Sequence, residues 1–194
     1  VNNKGAIRFG MGAVKGVGRG AVETIVEHRK VKPYESIFDL TQRIDLRSAN
    51  KKSFESLILA GGLDSLSDAS RSQYFHHNGD GVTFVEKALK FGAQHQENEQ
   101  SSQVSLFGAD AEVTIATPEL PNCEPWTALK ELKQEKEVVG IYISAHPLDD
   151  FAPAMKHFCN AKLGVFNDMD ALVNRELSFG GMVGEVDHRV SKNG

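Results

Sequence analysis

The stretch Arg8-Phe9-Gly10-Met11-Gly12-Ala13-Val14-Lys15-Gly16-Val17-Gly18-Arg19-Gly20 decides how the rest of the chain is read. Five glycines, at 10, 12, 16, 18 and 20, stand among basic residues. Glycine tolerates positive φ and lets another group approach the backbone closely. An amphipathic run follows at once, in which Val22, Ile25 and Val26 recur at helical spacing and make one apolar stripe, through about Lys30. A Gly-Val-Gly turn that opens a helix presents backbone N–H groups with no intrahelical partner, and these make an anion site. Lys15 and Arg19 flank it with positive charge. Two readings fit the local pattern. One is a helix-hairpin-helix unit in which the amides of Gly16, Val17 and Gly18 hold a nucleic-acid phosphate. The other is a tight helix–helix turn that needs glycine only for its geometry.

The charge is unevenly spread. The chain of 194 residues has a net charge of −4, yet residues 1–52 hold 11 Lys/Arg against 5 Asp/Glu, and residues 53–194 hold 11 against 21. A basic segment that also carries the glycine hairpin is the footprint of phosphate contact; the charge alone is equally that of a solvated face. With 40% hydrophobic and 25% charged residues the chain can bury a core. No apolar run approaches the roughly 20 residues of a membrane span, and no signal peptide opens the chain, so no membrane partner is expected. Cys123 and Cys159 are isolated, without CxxC spacing. They indicate neither a zinc site nor a disulfide framework, and a cytoplasmic, reducing setting fits. Residue 1 is Val rather than Met, so the chain reads as a fragment or a processed product.

Downstream, Ile37, Phe38, Leu40 and Ile44 predict a second short helix capped by Ser36, and Asn50 is the expected N-cap of a third, Lys51 to Ala60, ended by Gly61-Gly62. Asp68 is the expected cap of a helix through Phe75. Helix, Gly-Gly turn, helix echoes the first hairpin, but the glycine spacing differs and only Arg71 is basic nearby; a plain αα-hairpin fits as well. His76-His77 lacks a third ligand, so a metal site is not indicated. Val82, Val85, Ala88 and Leu89 predict a helix ending near Gly92. The polar tract from Ala93 to Ser102 cannot bury enough surface to order itself. It carries one apolar island, Gln103-Val104-Ser105-Leu106-Phe107. Such an island is either a docking peptide for a partner's pocket or a pin that holds the linker to its own domain.

A helix is expected from Trp126 through Glu137, and another with Pro147 in its first turn. His146 has no spaced Ser, Cys or carboxylate partner for a triad, and a structural hydrogen bond is its expected role. Phe179 to Val190 reads as a glycine-bulged strand running into the Asn193-Gly194 turn signal, with its partner strand missing. A nucleotide-binding reading of Gly10-Met11-Gly12 fails, because position 15 is Lys, no clear strand precedes it and no GK[ST] follows.

Taken together, Phe9 to Gly18, Ile37-Phe38-Asp39-Leu40, Asn50-Lys51-Lys52 with Leu57-Ile58-Leu59-Ala60-Gly61, Gln103 to Phe107, Glu135-Lys136-Glu137 and Gly140-Ile141-Tyr142-Ile143-Ser144-Ala145-His146-Pro147-Leu148-Asp149 resemble, in order, the C-terminal part of the bacterial C-family replicative DNA polymerases, the DNA polymerase III alpha subunits. The resemblance implies a mainly α fold in four parts. Residues 1–91 would be the end of the fingers and a tandem helix-hairpin-helix domain that grips duplex DNA through Lys15, Gly16, Val17, Gly18 and Arg19. Residues 92–124 would be a flexible linker whose motif at 103–107 binds the ring-shaped sliding clamp (the β subunit) through Gln103, Leu106 and Phe107. Residues 125–175 would be a helical connector, and 176–194 the truncated start of an OB-type β-barrel. Other holoenzyme subunits are implied as partners. The catalytic carboxylates of the family, and the Mg they are expected to use, belong to a palm domain upstream, so this chain is expected to have no cofactor and no polymerase activity of its own.

Overall fold

The computed structural model describes residues 8–104, 115–184 and 186–189. It divides into two compact units, one within residues 1–143 and one within 144–194. Among the described residues the architecture is helical, and the only β pairing is an isolated antiparallel bridge between His77 and Thr83.

In the first unit a single 3-10 turn, Met11–Ala13, leads through the glycine hairpin into α1, Arg19–Val31. The expected stripe is rotated slightly: Ala21, Thr24 and Ile25 are buried, with Val22 and Val26 at its margins. Helix α2, Ile37–Arg43, is capped by Ser36, whose hydroxyl accepts the Asp39 amide. Its last residue, Arg43, reaches back to close α1, donating to the carbonyls of His28 at 2.6 Å and Lys32 at 2.7 Å. Helix α3, Lys51–Leu59, is capped by Asn50 through the Ser53 amide. It stops as its glycines dictate. Gly61 takes φ +75°, its amide bonds to Ile58 O, and the Gly62 amide bonds to Leu57 O at 2.7 Å, which is the pairing of a Schellman stop.

Helix α4, Arg71–Phe75, has its cap two residues after the expected Asp68. Ser70 supplies the cap instead, in a capping box with Gln73, because a Gln three residues on can return a bond to the cap's own amide and none lies three residues after Asp68. Helix α5, Phe84–Val104, corrects a larger expectation: it does not end near Gly92 but continues through residues 92–104 of the expected flexible linker. Two features hold it there. Gly92 is buried against α2, where an added Cβ would stand 2.6 Å from both Thr41 Cβ and Thr41 O. One turn on, the Gln96 amide donates to the carbonyls of Thr41, Gln42 and Ile44 at 2.8–3.1 Å, satisfying the open C-terminus of α2.

Helix α6, Ala128–Val139, begins at a Thr127 cap and ends at Gly140 in the left-handed region. One core joins these elements: Val14, Val17 and Ile25 from the hairpin side, Leu40, Ile44, Phe54 and Ile58 from α2 and α3, Tyr74, Phe84 and Val85, and Val138 of α6. The strap before α6 docks on α4, with Phe75 and Trp126 stacked at 5.5 Å and Gln73 donating to Pro121 O at 2.9 Å.

In the second unit Pro147 does not open a helix. A 3-10 turn, Asp149–Phe151, runs into α7, Ala152–Phe158, with Pro153 in its first turn. The His146 amide donates to Asp149 Oδ2, and His146 Nδ1 accepts the Leu148 amide. The strand expected over 179–190 is absent among its described residues, which carry no second strand to pair with. The chain leading into it is instead clasped to the end of α7: Ser178 O accepts the Asn160 amide, Ser178 N donates to Asn160 Oδ1, and Ser178 Oγ donates to Phe158 O.

Candidate nucleic-acid interface

The glycine hairpin is held from below. Val14 and Val17 are buried in the core, so the residues between and after them, Lys15, Gly16, Gly18, Arg19 and Gly20, are pushed to the surface. The Lys15 amide donates to Val138 O at 2.8 Å, which anchors the hairpin to α6. The Val17 amide donates to Val14 O at 3.1 Å, inside the turn. Of the three amides expected to hold phosphate, Val17 is therefore already committed, while Gly16 and Gly18 have no intrachain acceptor among the described bonds. Arg19 and Gly20, the first residues of α1, add two more open amides, since a helix start leaves its early N–H groups without carbonyl partners. The dipole of the 13-residue α1 points its positive end at this surface.

The charges agree with that polarity. Lys15 is exposed and makes no ion pair among the described residues. Arg19 pairs with Glu23 at 2.6 Å, but both side chains are largely exposed, so the pair is weak and exchangeable. A cation that the hairpin motif did not single out, Lys52, also belongs here: a Cβ on Gly16 would lie 3.4 Å from Lys52 Cε. The sequence signal for it was the Lys51-Lys52 pair after the Asn50 cap, but spacing along α3 does not say which lysine turns toward a hairpin more than thirty residues upstream.

The second hairpin is built differently. Its one nearby cation, Arg71, is mostly buried and fully engaged. It pairs with Asp64 at 2.7 Å, donates to Leu59 O, and stands 3.6 Å from the buried Glu135 of α6. The hydrogen bonds it donates to the Asp64 carboxylate raise its pKa further. Gly61 serves the Schellman stop. This turn is an internal joint, and its cation is spoken for.

Gln103 lies in the last turn of α5, and Leu106 and Phe107 lie outside the described residues. No three His, Cys, Asp or Glu gather as a metal site among the described residues, and no described helix is long and apolar enough to cross a membrane.

Comparison with known proteins agrees with this geometry. A family model described as a helix-hairpin-helix motif matches residues 1–74. The chain is 34% identical over 168 residues to a DNA polymerase III subunit alpha of Vibrio cholerae, 33% over 170 residues to that of Haemophilus influenzae and 33% over 160 residues to that of Escherichia coli K12. The matches cover 84%, 84% and 81% of this chain, but only 14%, 14% and 13% of the relatives, so the chain spans about a seventh of their length. With the motif, the hairpin and the aligned relatives in accord, the chain belongs to the DNA polymerase III alpha subunit family, as a segment of it that carries the helix-hairpin-helix motif.

Proposed function

We propose that this segment is a non-catalytic DNA-holding and clamp-tethering region of a bacterial replicative polymerase. The observation that carries the DNA part is the hairpin itself: open amides of Gly16, Gly18, Arg19 and Gly20 at the start of α1, on one surface with Lys15 and Arg19. Backbone amides and flexible cations recognise phosphate and carry no sequence information, so the ligand is duplex DNA of any sequence. Phosphodiester transfer belongs to residues outside this chain.

The test is the salt dependence of binding to a duplex oligonucleotide. With two or three phosphates neutralised, log K falls with log salt at a slope near −2 to −3, and the affinity lies around 10⁻⁴ to 10⁻⁶ M. Binding that ignores salt, or no binding, overturns this reading and leaves the alternative, a protein-docking module with a purely structural hairpin.

The clamp part rests on Gln103, Leu106 and Phe107 and on the family to which the chain belongs. Leu106 and Phe107 would fill an apolar pocket, each contributing about 1.5–3 kcal/mol of burial, and Gln103 would bond at its rim. The translational and rotational freedom lost on association offsets much of that, so a dissociation constant in the micromolar range, about −8 kcal/mol, is expected. Holding DNA and clamp together raises the effective strength of both contacts.

A further inference from the structure

The first turn of α3 forms one wall of the hairpin. Ser53 Oγ donates to Gly16 O at 3.2 Å. A Cβ on Gly16 would meet Ser56 Oγ at 2.8 Å and the Lys52 stem at 3.4 Å, and a Cβ on Gly20 would meet Ser48 Cβ at 3.5 Å. The two lysines that open α3 have different surroundings. Lys51 pairs with Glu86 at 2.7 Å and Glu55 at 3.6 Å. Lys52 is exposed and makes no ion pair among the described residues, and its stem lies along Gly16. Lys15 and Lys52 thus flank the same glycine without a carboxylate paired to either.

We propose that Lys52 is a phosphate ligand of the hairpin, so that a backbone phosphate at Gly16 and Gly18 is also gripped from the side by α3. The proposal rests on the DNA-binding reading above and adds to it a residue from a different helix. It makes α3 part of the binding surface and assigns Lys51, its sequence neighbour, to the fold.

The experiment is a fluorescence-anisotropy titration of the 194-residue chain with a labelled duplex across a salt series. Lys52→Gln keeps the stem as far as Cγ, which lies against Gly16, and removes the charge. It should weaken binding about fivefold to tenfold at 0.1 M salt and reduce the steepness of the salt slope by about 0.9. Lys52→Arg should keep the wild-type slope. Lys51→Gln should also keep it, while lowering the midpoint of thermal unfolding. A Lys52→Gln slope equal to wild type, in a series where Lys15→Ala/Arg19→Ala flattens it, overturns the role of Lys52 and leaves the DNA reading standing. A wild-type chain with no salt-dependent binding overturns both.

Discussion

Gly16 and Gly18 lie two residues apart in one turn, and the absence of a side chain serves a different end at each. Gly16 has φ +90° and sits 2.8 Å, at its absent Cβ, from the buried Ser56 hydroxyl. Any other residue there is strained and crowded. Gly16→Ala is expected to cost about 2 kcal/mol of stability, chiefly the left-handed backbone penalty, read as a lower midpoint in urea. Gly18 has φ −75° and open space around its Cβ position. Nothing in the fold requires glycine at that site, so its use there fits close approach by a ligand. Gly18→Ala should cost less than about 1 kcal/mol of stability yet weaken duplex binding roughly tenfold, through loss of one hydrogen bond to a charged group. Loss of stability in both variants with no selective loss of binding would return both glycines to the turn. The sequence made these positions look equivalent. The dihedral angles and the α3 wall separate them, and those arise from contacts with residues some forty positions away.

Among the elements, α5 departs most from its local signals. Residues 93–102 are polar and hold no apolar stripe, so apolar burial alone leaves them unordered, yet Gly92 and Gln96 bind them to α2. Gly92→Ala drives a methyl group into the Thr41 backbone and should cost about 1–3 kcal/mol, the usual range for overpacking; an unchanged melting temperature would deny the close contact. The other end of α5 is fixed by charge. Glu86 accepts from Lys51 Nζ at 2.7 Å and from the amide and hydroxyl of Thr83 at 2.8 Å. Those bonds, that from Lys51 foremost, hold its carboxyl down from 4.5 to about 2. A carboxylate depressed on folding stabilises the protein above its unfolded pKa, and that gain is lost as the pH falls through the folded value. Stability should therefore drop on acidification between about pH 4.5 and pH 2, and Glu86→Gln should flatten that part of the profile. A wild-type and a Glu86→Gln profile that run parallel would show the pair to be inert. The Ser36, Asn50 and Gly61 boundaries, by contrast, were legible because each depends on a cap or a stop within four residues of the helix end.

At the scale of the whole molecule, the DNA and clamp surfaces proposed here draw on separate residues. Lys15→Ala/Arg19→Ala should reduce duplex binding and leave clamp binding unchanged, and Leu106→Ala/Phe107→Ala should do the reverse, both followed by titration against each ligand. A variant pair that damages both would mean one shared surface. The hairpin is also tied to the far end of its unit. Val138 of α6 accepts the Lys15 amide, and three residues earlier Glu135, 1% exposed, faces Arg71 at the second turn. Glu135→Ala removes the more distant of Arg71's two carboxylates, Asp64 staying in place, and should cost about 1–3 kcal/mol, read as a lower melting temperature. By itself the sequence determined what is local: the helices that carry caps, the glycine stop at 61–62, the basic hairpin and the family that its motifs resemble. The tertiary structure alone decided which amides stay open, that Arg71 is withdrawn into an ion pair, that Lys52 rather than Lys51 faces the hairpin, and that α5 runs on to Val104. Each of these depends on groups far apart in the chain, and the free energy of such contacts is set by packing and desolvation that no pattern of spacing records.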